Sequence, residues 1–343
     1  MQAISRKKQV FPINPDLRRY LARYRRETRL PVTYNDLVRF NNTLPLLDRE
    51  GRDTHWETSF YDPLTTRELH TGLTEIYALL RTGGDMAAMR HLYIDRIDYC
   101  VFGNTKPFRV RVVNQYNDNY DHFYVKRADA SRIYGLELED LLSPNAMTYF
   151  VHKETLIEEH ITGIPGDRFI ADYIDRPNRS RVRLAKEFIK FNERCFVRLL
   201  GDMRSYNYVI AVTPDFEDEQ YRVRPIDFDQ QNYEGRKNVY LPQFFKDNLA
   251  VVKLCTSLLN LDTMRQYQQE ERTLMARRFA SARPQLEHLV GCMSKDPLST
   301  PEKIAQLRGE LGEYHQTPGF QSLSTMGEIL WHHINACLTR APG

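Results

Sequence analysis

The chain has 343 residues, of which 41% are hydrophobic and 27% are charged, a composition typical of soluble globular proteins. Its 48 Lys and Arg residues exceed its 45 Asp and Glu residues by three. So small an excess argues against a nucleic-acid binder. No run of about 18 apolar residues occurs, so we expect no membrane span.

Cysteine usage and the N-terminal residues bear on the cellular setting. The five cysteines are widely separated and none forms a C-x-x-C pair. This pattern argues against a disulfide framework or a zinc site. The first residues contain no apolar stretch of the kind found in secretory signals. A reducing, cytoplasmic setting is therefore expected.

Residues 1–90 are predicted to be a mostly helical extension. Asn14 and Pro15 have the residue types that begin a helix, and apolar residues follow at helical spacing. The pattern favours a docked amphipathic helix with a solvated basic side, although an acidic partner would also fit this charge. Nine basic residues carry the charge: Arg6, Lys7, Lys8, Arg18, Arg19, Arg23, Arg25, Arg26 and Arg29.

A second helix is predicted in "TTRELHTGLTEIYALLRTGG", which Gly83 and Gly84 end. The texture then changes to alternating β-branched and aromatic residues, which predict strands at 91–102, 108–116 and 122–129. A short helix at 130–142 and two strands within 146–161 follow. Further along, we expect a helix at 180–199, a hairpin, and helices from Leu241 onward.

The order of these elements predicts an α+β fold in two lobes. Residues 91–161 would form a small antiparallel β lobe with its connecting hinge, and residues 162–343 a larger helical lobe.

Four short motifs carry residues suited to phosphoryl transfer from ATP. Lys126 lies on the predicted third strand, and Glu137 and Glu139 lie in the helix that follows. "LLGDMRSYNYVI" contains Asp202 and Asn207, and "PIDFDQQ" contains Asp227. The chemistry requires a positive charge for phosphates, oxygen ligands for magnesium, and a group that orients the attacking hydroxyl.

These motifs resemble the protein-kinase-like superfamily in their order and structural context. The likeness is nearest to its small-molecule kinases, such as the aminoglycoside phosphotransferases and choline kinases. "LLGDMRSYNYVI" is similar to their catalytic loop, and "LIEEHITGIPG" is similar to their linker between lobes. The resemblance covers roughly residues 91–260.

The resemblance implies a role for each residue. Lys126 would bind ATP phosphates and pair with Glu137, which shares a helix face with Ile133 and Leu141 and is preferred to Glu139 for that reason. Asp202 would be the catalytic base, and Arg204 would neutralise the transferring phosphate. The remaining residues would be the magnesium ligands Asn207, Asp227 and Asp229, the phosphate-covering turn Gly103, Asn104 and Thr105, and the adenine contacts Glu159, His160 and Ile161.

The implied activity is ATP- and Mg²⁺-dependent transfer of phosphate to a hydroxyl-bearing acceptor. Only about twelve residues separate Asp229 from Leu241, which favours a small acceptor over a peptide. Two departures, Leu200 in place of a usual His and a single glycine in the phosphate turn, keep a catalytically dead scaffold as an alternative. Transfer of AMP is another. His332 and His333 are expected at core or surface positions and not at a metal site.

Overall fold

The computed structural model describes residues 8–48, 50–102, 105–175, 180–215 and 219–339. The chain divides into two compact units. The first consists of Met1–Asp129 with Met147–His160, and the second of Ala130–Ala146 with Ile161–Gly343. No helix within the described ranges combines the length and apolar character needed to cross a bilayer.

The first unit is built on one antiparallel sheet of seven strands in the order β1-β2-β3-β4-β5-β7-β6. Short turns join β1 to β2, β3 to β4, β4 to β5 and β6 to β7, whereas a long helical connection lies between the paired strands β2 and β3. The strands are β1 Asn42–Leu47, β2 Asp53–Phe60, β3 Leu92–Cys100, β4 Phe108–Asn114, β5 Tyr120–Arg127, β6 Tyr149–His152 and β7 Thr155–Glu159.

Three helices accompany this sheet: α1 Pro15–Arg23, α2 Tyr34–Leu37 and α3 Pro63–Thr82. Asn14 caps α1 as predicted, because its side chain accepts a hydrogen bond from the Leu17 amide. Asp62 caps α3, and Gly83 ends it with φ 65°, a conformation that glycine adopts without strain. The apolar face of α3 joins buried residues of β3, β4 and β5 in one core.

The basic N-terminal residues are partly used inside the first unit. Lys8 is buried and pairs with Asp129, while the Arg18 guanidinium donates to Glu27 and to the Lys153 carbonyl. These contacts support the interpretation of α1 as a docked amphipathic helix. Binding of an acidic partner stays a prediction, and Arg6 and Lys7 lie outside the described residues.

The second unit is mainly helical and holds one small sheet in the order β10-β9-β8. Its strands are β8 Ile164–Pro165, β9 Tyr208–Pro214 and β10 Glu219–Pro225. Its helices are α4 Ala130–Leu142, α5 Gly166–Asp172, α6 Arg181–Arg198, α7 Leu249–Leu258, α8 Leu261–Met293, α9 Pro301–His315 and α10 Met326–Leu338. The long helix α8 packs against α4, α6 and α10.

The predicted α+β class is confirmed. Residues 1–90 differ from the prediction, because they contain the hairpin β1–β2 as well as helices. Strand β1 shows no clean alternation: it is a mostly exposed edge strand, and its register shifts near Pro45. Proline is tolerated at such edges, but it hides the strand in the sequence. The division into units also differs from the expected 91–161 and 162–343, because Ala130–Ala146, which contains α4, belongs with the second unit.

Candidate active site

The loop after α6 places Asp202 by backbone contacts. Leu199 ends the helix in the left-handed conformation, with φ 52°. Gly201 then donates its amide to the Gln230 carbonyl, and Asp202 donates to the Val239 carbonyl, both at 3.1 Å. A Cβ on Gly201 would lie 3.2 Å from the Gln230 carbonyl oxygen, so the close approach of these chains favours glycine.

Asp202 itself has φ 58°, a value that costs energy for a residue with a side chain. The hydrogen bonds on either side of it hold this conformation. Strained backbone of this kind clusters at functional sites. Asp202 is thus, with Leu199, one of two residues that the loop after α6 holds in the left-handed conformation.

Asn207 fastens the two ends of the loop to each other. Its Nδ2 donates to the Asp202 carbonyl oxygen at 2.7 Å. Its own carbonyl oxygen accepts from the Ile226 amide at 3.0 Å, which brings the residues after β10 beside the loop. Asn207 Oδ1 makes no hydrogen bond with any described residue, so this amide oxygen is available as a ligand.

Arg204 is held between two carboxylates of the same unit. Its Nε lies 3.0 Å from Asp202 Oδ1, and its Nη1 lies 3.2 Å from Asp247 Oδ2. The guanidinium also lies 5.2 Å from the centre of the Phe245 ring. Arg204 is thereby fixed next to the expected base, where sequence reasoning placed it.

Burial raises the pKa of Asp202 from its ordinary value to about 6, against the opposing effect of Arg204. The negative charges of Asp227 and Glu234 act in the same direction as burial. A carboxylate of this pKa accepts a proton more readily than an exposed aspartate does, which suits a general base near neutral pH.

The two expected metal-binding aspartates lie together just after β10. Asp227 Oδ1 accepts the Asp229 amide at 3.1 Å. Each carboxylate also binds Arg132 of α4: Nη2 lies 2.5 Å from Asp227 Oδ1, and Nε lies 2.8 Å from Asp229 Oδ1. Sequence reasoning missed Arg132. No signal in the sequence marks Arg132, because its burial in α4 follows from the packing of the unit and not from the residue pattern.

The donor set next to Asp202 suits a magnesium ion. Asn207 contributes an amide oxygen, and Asp227 and Asp229 contribute carboxylates, the hard oxygen ligands that Mg²⁺ prefers. Arg132 engages Oδ1 of each aspartate, so part of their charge is already balanced. Asn207, Asp227 and Asp229 would hold the ion if it binds.

Glu139 and Glu137 have different surroundings within the second unit. Glu139 is buried and forms an ion pair with Arg198, and it accepts a hydrogen bond from Asn145. Arg198 lowers the pKa of Glu139, although burial alone would raise it. Glu137 accepts a hydrogen bond from Gln285 Nε2 at 3.3 Å. Glu139 is thus paired with α6, the helix that precedes the loop. Pairing of Glu137 with Lys126 stays a prediction.

Lys126 lies on β5 of the first unit, on the strand predicted for it. Its Nζ lies 2.6 Å from Glu158 Oε2 on β7, and both side chains are buried. Sequence reasoning missed Glu158, although it stands two positions along β7 from Leu156, the cross-strand partner of Lys126. Glu158 is therefore the carboxylate that pairs with Lys126 within the first unit, and a role of Lys126 in phosphate binding stays a prediction.

The remaining expected nucleotide residues are placed as follows. Thr105 lies in the β3–β4 connection, where Gly103 and Asn104 fall outside the described residues. Glu159 accepts the Thr148 amide at 2.9 Å, and burial lowers the pKa of His160, whose Nδ1 lies 3.3 Å from the Tyr124 hydroxyl. Ile161 is buried in the second unit. None of these placements tests a role in binding adenine.

A histidine cluster in the second unit behaves as core. His333 Nδ1 lies 2.9 Å from His315 Nε2, and His333 Nε2 lies 3.0 Å from the Phe196 carbonyl oxygen. Cys337 Sγ is almost equidistant from the two ring nitrogens of His333, at 3.9 and 3.7 Å. The sulfur therefore lies beside the ring and not in line with a nitrogen lone pair. The two histidines form a buried hydrogen-bonded pair, and Cys337 packs against it.

Comparisons with known proteins add little to this geometry. No family model and no curated protein matches the chain. Among solved structures, the chain is similar to the autoinhibited serine kinase domain of the giant muscle protein titin, with 12% sequence identity and a TM-score of 0.27. The match covers 70% of this chain and 91% of that one. A TM-score this low has no weight for the function, which rests on the residues themselves.

Proposed function

We propose that the chain is an ATP- and Mg²⁺-dependent phosphotransferase that passes the γ-phosphate to a hydroxyl of a small molecule. The supporting observation is the joining of two motifs in one unit. Asn207 donates to the Asp202 carbonyl oxygen and accepts a hydrogen bond from the amide of Ile226, the residue before Asp227. Hydrogen bonds thus connect the expected base with the segment that carries the expected metal ligand Asp227.

Asp202 would orient the acceptor hydroxyl and receive its proton, a role that its raised pKa supports. Arg204, which is tied to Asp202, would balance negative charge on the phosphate. Magnesium held by Asn207, Asp227 and Asp229 would neutralise charge on the phosphate oxygens. We also propose that Lys126 binds ATP phosphates. This part of the proposal rests on the sequence resemblance.

The proposal of a small acceptor rests on the segment after Asp229. That segment forms three short 3₁₀ turns before α7, and Tyr240 and Asn248 within them are buried. Protein kinases use a longer segment there for peptide substrates. A cytoplasmic setting is part of the proposal, because the described ranges contain all five cysteines and no disulfide joins them.

Arg132 supports a second candidate, a scaffold of the same fold without catalysis. Its contacts with Asp227 and Asp229 balance charge that a metal ion would otherwise balance. Retention of Asp202 in a strained conformation, with Asn207 fastened to it, argues for the enzyme.

Thermal unfolding with ATP, in the presence and absence of Mg²⁺, tests the proposal. A phosphotransferase is stabilised by ATP with magnesium and much less by ATP alone, because the ion links nucleotide and carboxylates. No stabilisation under either condition favours the scaffold. Mass spectrometry of the incubated protein distinguishes self-transfer of phosphate from self-transfer of AMP.

A further inference from the structure

One edge of the Arg132 guanidinium spans both aspartates of the candidate metal site. Nη2 contacts Asp227 and Nε contacts Asp229, and in each case the acceptor is Oδ1. Next to it in α4, Ser131 Oγ donates to the Gln231 carbonyl at 2.9 Å. Side chains of helix α4 therefore bind both the side chains and the backbone of the turn after β10.

The three charged side chains differ in exposure. The Arg132 side chain is 3% exposed, whereas those of Asp227 and Asp229 are 32% and 16% exposed. Leaving a buried guanidinium without its partners is costly, so Arg132 is expected to keep these contacts. The carboxylates, in contrast, retain surface that a ligand from solvent can reach.

We propose that Arg132 is a built-in cation of this site that weakens binding of a free divalent ion by Asp227 and Asp229. This inference rests on the proposed function for its meaning, since it concerns the residues expected to hold magnesium. With Arg132 in place, two carboxylates and one guanidinium carry a net charge of about −1, and a divalent ion meets repulsion as well as attraction.

As a consequence, the site would bind a divalent ion together with the phosphates of a nucleotide. Mg²⁺ in phosphate-transferring sites is commonly held by one or two carboxylates and by substrate phosphates. Where Arg132 reduces the attraction from the protein, the phosphates must supply the missing negative charge. Metal alone would then bind weakly, and metal with nucleotide would bind well.

Binding of Mn²⁺ alone to the full chain, followed by electron paramagnetic resonance of the free ion, tests the inference. We expect Arg132→Gln to bind Mn²⁺ at least about tenfold more tightly than the wild type, because a unit positive charge at salt-bridge distance is removed. Arg132→Lys, which keeps the charge, should stay near the wild type. Arg194→Gln is the matched control: it removes an equally buried arginine of the same unit, and Mn²⁺ affinity should not change.

Arg132→Gln leaves two aspartates close together and could fail to fold, so a second pair of variants measures the same effect. Asp229→Asn is compared with the double variant Arg132→Gln/Asp229→Asn, in which charge is removed from both partners. The double variant should again bind Mn²⁺ at least about tenfold more tightly than Asp229→Asn. Circular dichroism establishes that each variant is folded.

Unchanged or weaker Mn²⁺ binding in folded proteins that lack Arg132 would overturn the inference, as would absence of Mn²⁺ binding in every variant. Neither result depends on ATP. If Arg132 variants bind Mn²⁺ more tightly but no form is stabilised by ATP with magnesium, the inference stands and the proposed function fails. The reverse pattern keeps the phosphotransferase and removes the role of Arg132.

Discussion

Arg132 and Arg194 are two buried arginines of the helical unit, and each is held by two carboxylates. Arg194 pairs with Glu187 at 2.7 Å and with Glu271 at 3.2 Å. Arg132 pairs with Asp227 and Asp229 at similar distances. The chemistry of the two contacts is the same, but their settings differ.

Arg194 lies where three elements meet. It belongs to α6, Glu271 belongs to α8, and its Nη2 also donates to the Val223 carbonyl of β10 at 3.1 Å. The Glu187 and Glu271 side chains are only 11% and 3% exposed. These buried charges help to select the helices that pack together, and a ligand from solvent cannot reach them.

Arg132 joins α4 to a turn whose carboxylates stay partly exposed. The difference teaches that burial of the arginine alone does not distinguish a structural ion pair from one at the candidate active site. The exposure of its acceptors, and the strained loop beside them, make that distinction. Changes near Asp202 and Asp227 should therefore affect ligands and turnover, and changes near Arg194 should affect stability.

The largest expected effect is at Asp202. Asp202→Asn keeps the shape and the hydrogen bonds of the backbone but removes the base, so we expect turnover to fall by about 10²–10⁴ with little change in ATP affinity. Slow ATP hydrolysis or self-labelling provides the assay without a known acceptor. Wild-type rates in the Asn variant would show that Asp202 is not the base.

Next in size is the loss of Arg194. Arg194→Met removes the guanidinium that holds Glu187 and Glu271, which keep only the Val223 amide and the more distant Lys190. We expect the free energy of unfolding to fall by about 3–5 kcal/mol. Urea unfolding measures this change. The control is Arg283→Met, which removes an exposed pair with Glu287 and should cost at most about 1 kcal/mol. Equal losses in both variants would contradict the distinction between core and surface pairs.

The elements of both units followed from periodicity and from helix-capping and turn-forming residues. Residues 108–116 and 122–129 alternate because one sheet face packs on α3, so β4 and β5 were predicted close to their true bounds. Strand β1 could not be recognised, because an edge strand with Pro45 needs no buried face.

The site was predictable only where neighbours in sequence become neighbours in space. Asp202 and Asn207 share one loop, so their spacing indicated their contact. Arg132 stands 95 residues before Asp227, and Glu158 stands 32 residues after Lys126. Such pairs form through the packing of helices and strands, which a single sequence does not reveal. The roles assigned to all these residues stay predictions.

A smaller effect is expected for the metal ligand. Asp227→Ala removes one oxygen ligand from a partly exposed turn, and Asp229 remains with Arg132. The affinity for ATP with magnesium should fall at least about tenfold. The free energy of unfolding without ligand should change by no more than about 1–2 kcal/mol. Thermal shift with increasing ATP and magnesium measures both. Undiminished affinity in the folded variant would exclude Asp227 as a ligand.

The smallest expected effect is the pH dependence of stability that arises from His333 in the core of the helical unit. His333 is enclosed by His315 of α9, by the Phe196 carbonyl of α6 and by Arg272 of α8. Burial, with a smaller contribution from His315, lowers the pKa of His333 to about 3. The unfolded chain binds a proton at this histidine near pH 6.5. Stability is therefore fully present above about pH 6.5 and is lost as the pH falls toward 3.

His333→Gln removes this titration and keeps an amide that can donate to the Phe196 carbonyl. Between about pH 7 and pH 5.5, the wild type should lose about 1 kcal/mol more of its unfolding free energy than the variant does. Urea unfolding of both proteins at the two pH values measures the difference between the losses, so the cost of the substitution itself cancels. Equal losses would mean that the pKa of His333 in the folded chain is close to its value in the unfolded chain, and the hydrogen bonds of His315 and His333 would then need a different assignment of their protons.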